Sequence, residues 1–130
     1  MKSITINTVL DEIINQQEIP LEKILDHYFN ASYRQRTDNE WEDLDGFVHH
    51  ARKLREIIAF GEVKVLDELR SGNLYATRHR VLCTKRDGEL VDMEVYMFAE
   101  MDEAGKFLRV EEATLMLKGT ESDRALGSAK

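Results

Sequence analysis

The hydrophobic period of this chain changes once, at Gly61. Before it, apolar residues recur at helical spacing; after it, they alternate. Ile6, Val9, Leu10, Ile13 and Ile14 stand at i, i+3, i+4, i+7 and i+8, which predicts a helix over about 5–17. Pro20 stops that helix or starts the next, whose stripe is Leu21, Ile24, Leu25, Tyr28 and Phe29. Residues 30–43, NASYRQRTDNEWED, lack a period and read as a long connection. Such a loop in a compact domain is often functional. Asp43 or Asp45 caps a third helix over about 44–60, with Phe47, Val48, Ala51, Leu54, Ile57 and Ile58 on one face, and Gly61 ends it. The remainder reads as four strands, 62–70, 74–85, 90–101 and 106–118, joined by turns at 71–73, Asp87-Gly88 and 102–105. Helices first and a strand meander second predict an α+β fold, with helices on one face of a curved antiparallel sheet.

A chain of 130 residues suggests one domain, read here as 1–118, with 119–130 a small, polar and flexible tail. A net charge of -7 argues against nucleic acid or an anionic membrane as partner. Cys83 is the single cysteine, so no intrachain disulfide forms. There is no C-x-x-C and no paired Cys/His spacing, so no metal or cofactor is expected. The first residues are acidic where a signal peptide is apolar, and no run approaches a membrane span. The expectation is a cytoplasmic protein.

Chemistry enters with the strand ATRHRVLCT, 76–84, where His79 points one way and Arg78 and Arg80 the other. If Asp87-Gly88 is a two-residue loop, His79 stands opposite Tyr96. If 102–105 is the next loop, Tyr96 stands opposite Glu111. Cross-strand neighbours lie about 5 Å apart, so the three side chains form a plausible acid/base set. A carboxylate beside a histidine raises its pKa and fixes its tautomer, and a tyrosine hydroxyl serves as donor. The same count puts Met93, Val95, Met97 and Ala99 with Leu108 and Val110 on the opposite, more apolar face. Apolar faces usually meet the helices. A single β-bulge flips one strand, so both orientations stay open.

Other residues divide between site and scaffold. Tyr33 and Trp41 either line a pocket or anchor the connection on the core. His49 and His50 are adjacent on a helix, so their rings diverge and they read as a solvated pair. His27 reads as helix surface, Met93, Met97, Met101 and Met116 as core, and Cys83 as a small buried hydrophobe.

Three stretches carry a family resemblance: HYFNASYRQRT, DLDGFVHHARKLREI and MFAEMDEAGKFLRVEE, with its D-x-x-G-K turn. Over about residues 21–117 the chain resembles the SnoaL-like branch of the nuclear transport factor 2-like superfamily. The resemblance implies a cone: a strongly curved antiparallel sheet forming a barrel around helices, with a mostly apolar cavity. It also implies a frequent homodimer through the sheet's outer face. It implies no single activity, because cyclases, isomerases, epoxide hydrolases, dehydratases and binding domains share the shape. Tyr33 falls at the family's pocket tyrosine, and Arg36 where SnoaL-like cyclases often have a histidine. His79 falls at a cavity-facing tryptophan, Glu111 at another pocket aromatic, and Leu115 at the cyclases' catalytic aspartate.

The expected function is binding of a small apolar or amphipathic molecule, with cofactor-free proton transfer of isomerase, cyclase or dehydratase type. His79 is the expected base, Tyr33 or Tyr96 the donor and Glu111 the orienter. Tyr33, Arg36, Trp41, Tyr75 and Tyr96 are the expected ligand contacts. A binding or scaffold domain with a vestigial pocket is the alternative, favoured by Leu115 in place of a carboxylate. An accessory subunit that docks through the outer sheet face is a third.

Overall fold

A computed structural model describes residues 4–119. Three helices, α1 (Ile6–Asn15), α2 (Leu21–Tyr28) and α3 (Leu44–Ile57), form as the periodicity predicts. Thr5 caps α1 and Asp43 caps α3, each accepting a backbone N–H of the first turn. Six strands follow or interleave: β1 (Phe29–Thr37), β2 (Glu40–Asp43), β3 (Ile58–Ser71), β4 (Leu74–Lys85), β5 (Leu90–Met101) and β6 (Phe107–Lys118). Past Gly119, the predicted tail lies outside the described residues.

Two expectations change here. The unpatterned stretch 30–43 is a β-hairpin, β1–β2, turning at Asp38 and Asn39, both with positive φ. Thr37 pairs with Glu40 across that two-residue turn. And α3 ends at Ile57, so Gly61 lies inside β3 and stops nothing.

The strand order is β2-β1-β6-β5-β4-β3. The sheet is therefore open and not a closed barrel. It is also mixed, because β1 runs parallel to β6 while the other pairs are antiparallel. Bulges interrupt β3 against β4 and β5 against β6, which supply the curvature of a sheet wrapped round helices.

The turn between β4 and β5 decides which side chains share a face. Lys85 N–H donates to Glu89 O at 2.8 Å and Gly88 N–H to Lys85 O at 2.9 Å. The loop thus holds three residues, 86–88, with Gly88 at φ 91°. His79 pairs with Val95, and Tyr96 with Arg78. Farther on, the bulge at Glu100/Met101 pairs Tyr96 with Ala113, and Glu111 with Phe98. His79 consequently faces inward with Met93, Val95, Met97 and Ala99, while Tyr96 and Glu111 face outward.

The inward face meets the helices in two adjoining clusters, one around Tyr75, Phe107 and Leu25, the other around Ile58, Val91 and Cys83. Arg55 of α3 locks α1 in place. Its guanidinium donates to the carbonyls of Glu12, Ile13, Gln16 and Ile19 at 2.7–3.1 Å. Glu12 O and Gln16 O accept backbone N–H groups as well, so the guanidinium adds to the bonding of the carbonyls at and just past the end of α1, where a cation suits the helix dipole.

Candidate active site

Between α1, α3 and the inward sheet face lies a cavity of about 110 Å³. That exceeds the room a single water needs and is smaller than most drug-sized ligand pockets. Most of its wall is apolar, with Ile14, Leu54, Ile58, Val81, Met93 and Val95 among the lining residues. Polar groups line it too: Tyr33, Gln35, His50, Glu112 and Thr114.

The hairpin β1–β2 builds this polar corner. Alternation along β1 turns Tyr33, Gln35 and Thr37 inward. The Tyr33 hydroxyl donates to Gln35 Oε1 at 2.7 Å. Gln35 Nε2 donates to Glu42 Oε1 at 2.8 Å and to Thr37 Oγ1 at 3.3 Å. Thr37 donates to Glu112 Oε1 at 3.2 Å. His50 Nδ1 stands 3.8 Å from Glu42 Oε1. Gly46 makes room for this, since a Cβ there would lie 3.1 Å from Glu42 Oε2.

Electrostatics single out Glu112. Burial of its carboxyl lifts the pKa from 4.5 to about 7, with Asp38 and Glu42 adding repulsion while Thr37 and His50 oppose the rise. Burial also holds the Tyr33 phenol well above its ordinary range, reinforced by Glu112 and Glu42. Among the described residues, no three His, Cys, Asp or Glu side chains group as metal ligands would.

Each expected site residue now has a place. Tyr33 and His79 line the cavity. Burial lowers the His79 pKa to about 4, so the ring is neutral near pH 7, and Nδ1 is 2.8 Å from Thr77 Oγ1. Glu111 does not orient His79: it lies on the outer face, paired with Arg36 at 2.9 Å and also with Arg109. Arg36 and Trp41 likewise sit outside, the guanidinium 5.8 Å from the indole, and Trp41 is half exposed. Tyr96 is 43% exposed and bonds Glu94 on that face. Tyr75 is core: its hydroxyl bonds Glu68 and accepts from Ile6 N–H at 3.0 Å. Leu115 is also outward, so it removes no carboxylate from the cavity.

Six residues of the corner escaped the sequence reading: Gln35, Thr37, Glu42, His50, Glu112 and Thr114. His50 is 7% exposed and not a solvated surface histidine. The Thr-Asp-Asn-Glu turn was the available signal, since Asp-Asn suits a two-residue hairpin and would have revealed β1.

No protein-family profile matches the chain. An uncharacterised protein of Schizosaccharomyces pombe is 30% identical over 103 residues, 79% of this chain and 78% of the yeast one. The chain belongs to the family of that protein. Among solved structures, an NTF2-like protein of unknown function from Exiguobacterium sp. 255-15 superposes with TM-score 0.67 at 14% identity, covering 83% of this chain and 96% of its own. IdmH, a proposed polyketide cyclase from Streptomyces antibioticus, gives TM-score 0.66 at 15% identity over 90% and 93% of the two chains. A proposed SnoaL-like polyketide cyclase from Jannaschia sp. CCS1 gives 0.63 at 11% identity over 88% and 91%. The fold is thus the NTF2-like fold of the SnoaL-like proteins. No helix among the described residues is long and apolar enough to cross a membrane.

Proposed function

We propose that this NTF2-like domain binds a small, largely apolar molecule in its cavity and catalyses cofactor-free proton transfer on it. The reaction is of the isomerase, cyclase or dehydratase type, with Glu112 as general base. One observation carries the reading: a carboxyl with a pKa of about 7 lines a mostly apolar cavity. A base poised near working pH is both available and strong enough to move a proton. Thr37 steadies the carboxylate by its hydrogen bond, and Gln35 ties Thr37 to Tyr33 and Glu42. The base role passes from His79 to Glu112, because an imidazole with a pKa near 4 is a weak proton acceptor at pH 7.

The test is hydrogen–deuterium exchange at the α-carbon of small ketones, followed by NMR. Wild type should exchange with a rate that rises through about pH 7, and Glu112→Gln should lose at least about a hundredfold, the lower range for general-base catalysis. Exchange that survives Glu112→Gln unchanged removes Glu112 from the role.

A second copy of the chain is the partner we propose for the outer sheet face. Tyr96, Phe98, Leu115 and Leu117 are each more than two-fifths exposed there, and contiguous apolar surface of that kind marks an interaction site. Sedimentation should give a dimer that Phe98→Asp dissociates; a monomeric wild type ends this part of the proposal. The single, buried Cys83 suits a reducing compartment, in keeping with a cytoplasmic location.

A further inference from the structure

The cavity has a second polar pole that the proton-transfer reading does not use. His79 is 1% exposed and lines the cavity. Nδ1 is engaged by Thr77 at 2.8 Å, which leaves Nε2 as the ring nitrogen for an occupant of the cavity to bond. His79 sits across the sheet from the acidic corner. It pairs with Val95, which pairs with Thr114, two residues from Glu112. Two strand spacings separate the backbones by roughly 10 Å. Both residues line the same cavity.

Size and charge narrow the occupant. At about 110 Å³ the cavity compares with an engineered apolar cavity of about 150 Å³ that holds benzene. A steroid or a fused polyketide needs several times more. No lysine or arginine is among the residues that line it, so a carboxylate or phosphate would enter without a counter-charge.

We propose that the cavity selects a neutral molecule of about one ring whose hydroxyl or carbonyl bonds His79 Nε2 while its far edge meets Glu112. His79 is a specificity-determining residue, and the substrate class is the small cyclic ketone or phenol, not the polycyclic. This inference rests on the cavity being the working site and adds what it admits.

The experiment is an NMR titration of the protein with its histidines ¹⁵N-labelled. Phenol and cyclohexanone are the probes. Benzene, benzoate, benzylammonium and progesterone are the controls. The His79 Nε2 resonance should move with phenol or cyclohexanone and stay still with progesterone and benzoate. Phenol should bind at least about fivefold tighter than benzene, the worth of one net hydrogen bond. His79→Leu should erase that ratio while keeping benzene binding, and His79→Gln should retain part of it. Should His79→Leu not fold, the wild-type resonance and the phenol-to-benzene ratio decide alone. Equal binding of phenol and benzene, an unmoved His79 signal, or tighter binding of progesterone, benzoate or benzylammonium overturns the proposal. Deuterium exchange separates the two readings. Phenol bound at His79 without ketone exchange in wild type leaves this inference standing and removes proton transfer. Exchange with an unmoved His79 does the reverse.

Discussion

Asn15 and Gly61 are joined by two hydrogen bonds of 2.8 Å each, the side-chain amide donating to Gly61 O and accepting from Gly61 N–H. β3 is an edge strand, and the amide stands where a neighbouring strand would. The last turn of α1 is thereby pinned to the sheet. Asn15→Ala strands both backbone groups and should cost about 1–3 kcal/mol, read as a fall of several degrees in Tm. Gly61→Ala should also destabilise, because its Cβ would lie 3.1 Å from Ile14 Cγ2 and 3.3 Å from Cys83 Sγ. A variant pair as stable as wild type would show that the contact holds nothing.

Glu112 should leave a mark on stability as well as on activity. Its folded pKa of about 7 exceeds the ordinary 4.5. Below 4.5 both states hold the proton and folding bears no penalty. Between 4.5 and about 7 the unfolded chain releases its proton first, so stability falls as pH rises, and it levels off above 7. The full loss is at most about 3 kcal/mol. Urea unfolding of Glu112→Gln from pH 4 to 8 should lack this fall; parallel curves for both proteins would refute it.

Arg55 serves five carbonyls of the α1–α2 region with one guanidinium. Arg55→Ala should cost about 2–4 kcal/mol, since hydrogen bonds to a charged group are worth more than neutral ones. Arg55→Lys should recover only part, because an ammonium lacks the planar fork. Equal Tm values for the lysine variant and wild type would mean that charge alone suffices.

Cys83 offers a probe that needs no substitution. Burial pushes its thiol to about 11 and leaves it 1% exposed. The native protein should resist Ellman's reagent, and labelling in denaturant should track unfolding. Rapid labelling in buffer would mean that the sheet opens locally around Gly61 and Cys83.

The α+β class, all three helices and the last four strands were legible because each carries a recurring period along most of its length, though the start of β3 at Ile58 was read as helix. β1 was not, because its inward side chains are Tyr33, Gln35 and Thr37. A strand that turns amides and hydroxyls toward the core hides its alternation from any count of apolar residues. The same chemistry that makes the corner useful made it unreadable. Register failed for a different reason. A loop of three residues in place of two moved His79 away from Tyr96, and nothing in Arg86-Asp87-Gly88 fixes that length on its own. His50 was misjudged because adjacent helix positions can fall on either side of a burial boundary, and the position of that boundary depends on the unseen hairpin.

The hydrogen bond between Thr37 and Glu112 spans 75 residues of chain. It lies in the sheet's parallel pairing, between β1 and β6. Contacts so distant in sequence form slowly, since loop closure comes before any reward from packing. The four meander strands, β3 to β6, can zip from local turns, and the acidic corner waits for the two ends of the domain to meet. A folding chain therefore holds most of its sheet before it holds this corner, and the proton exchange proposed above is the natural clock for that final step.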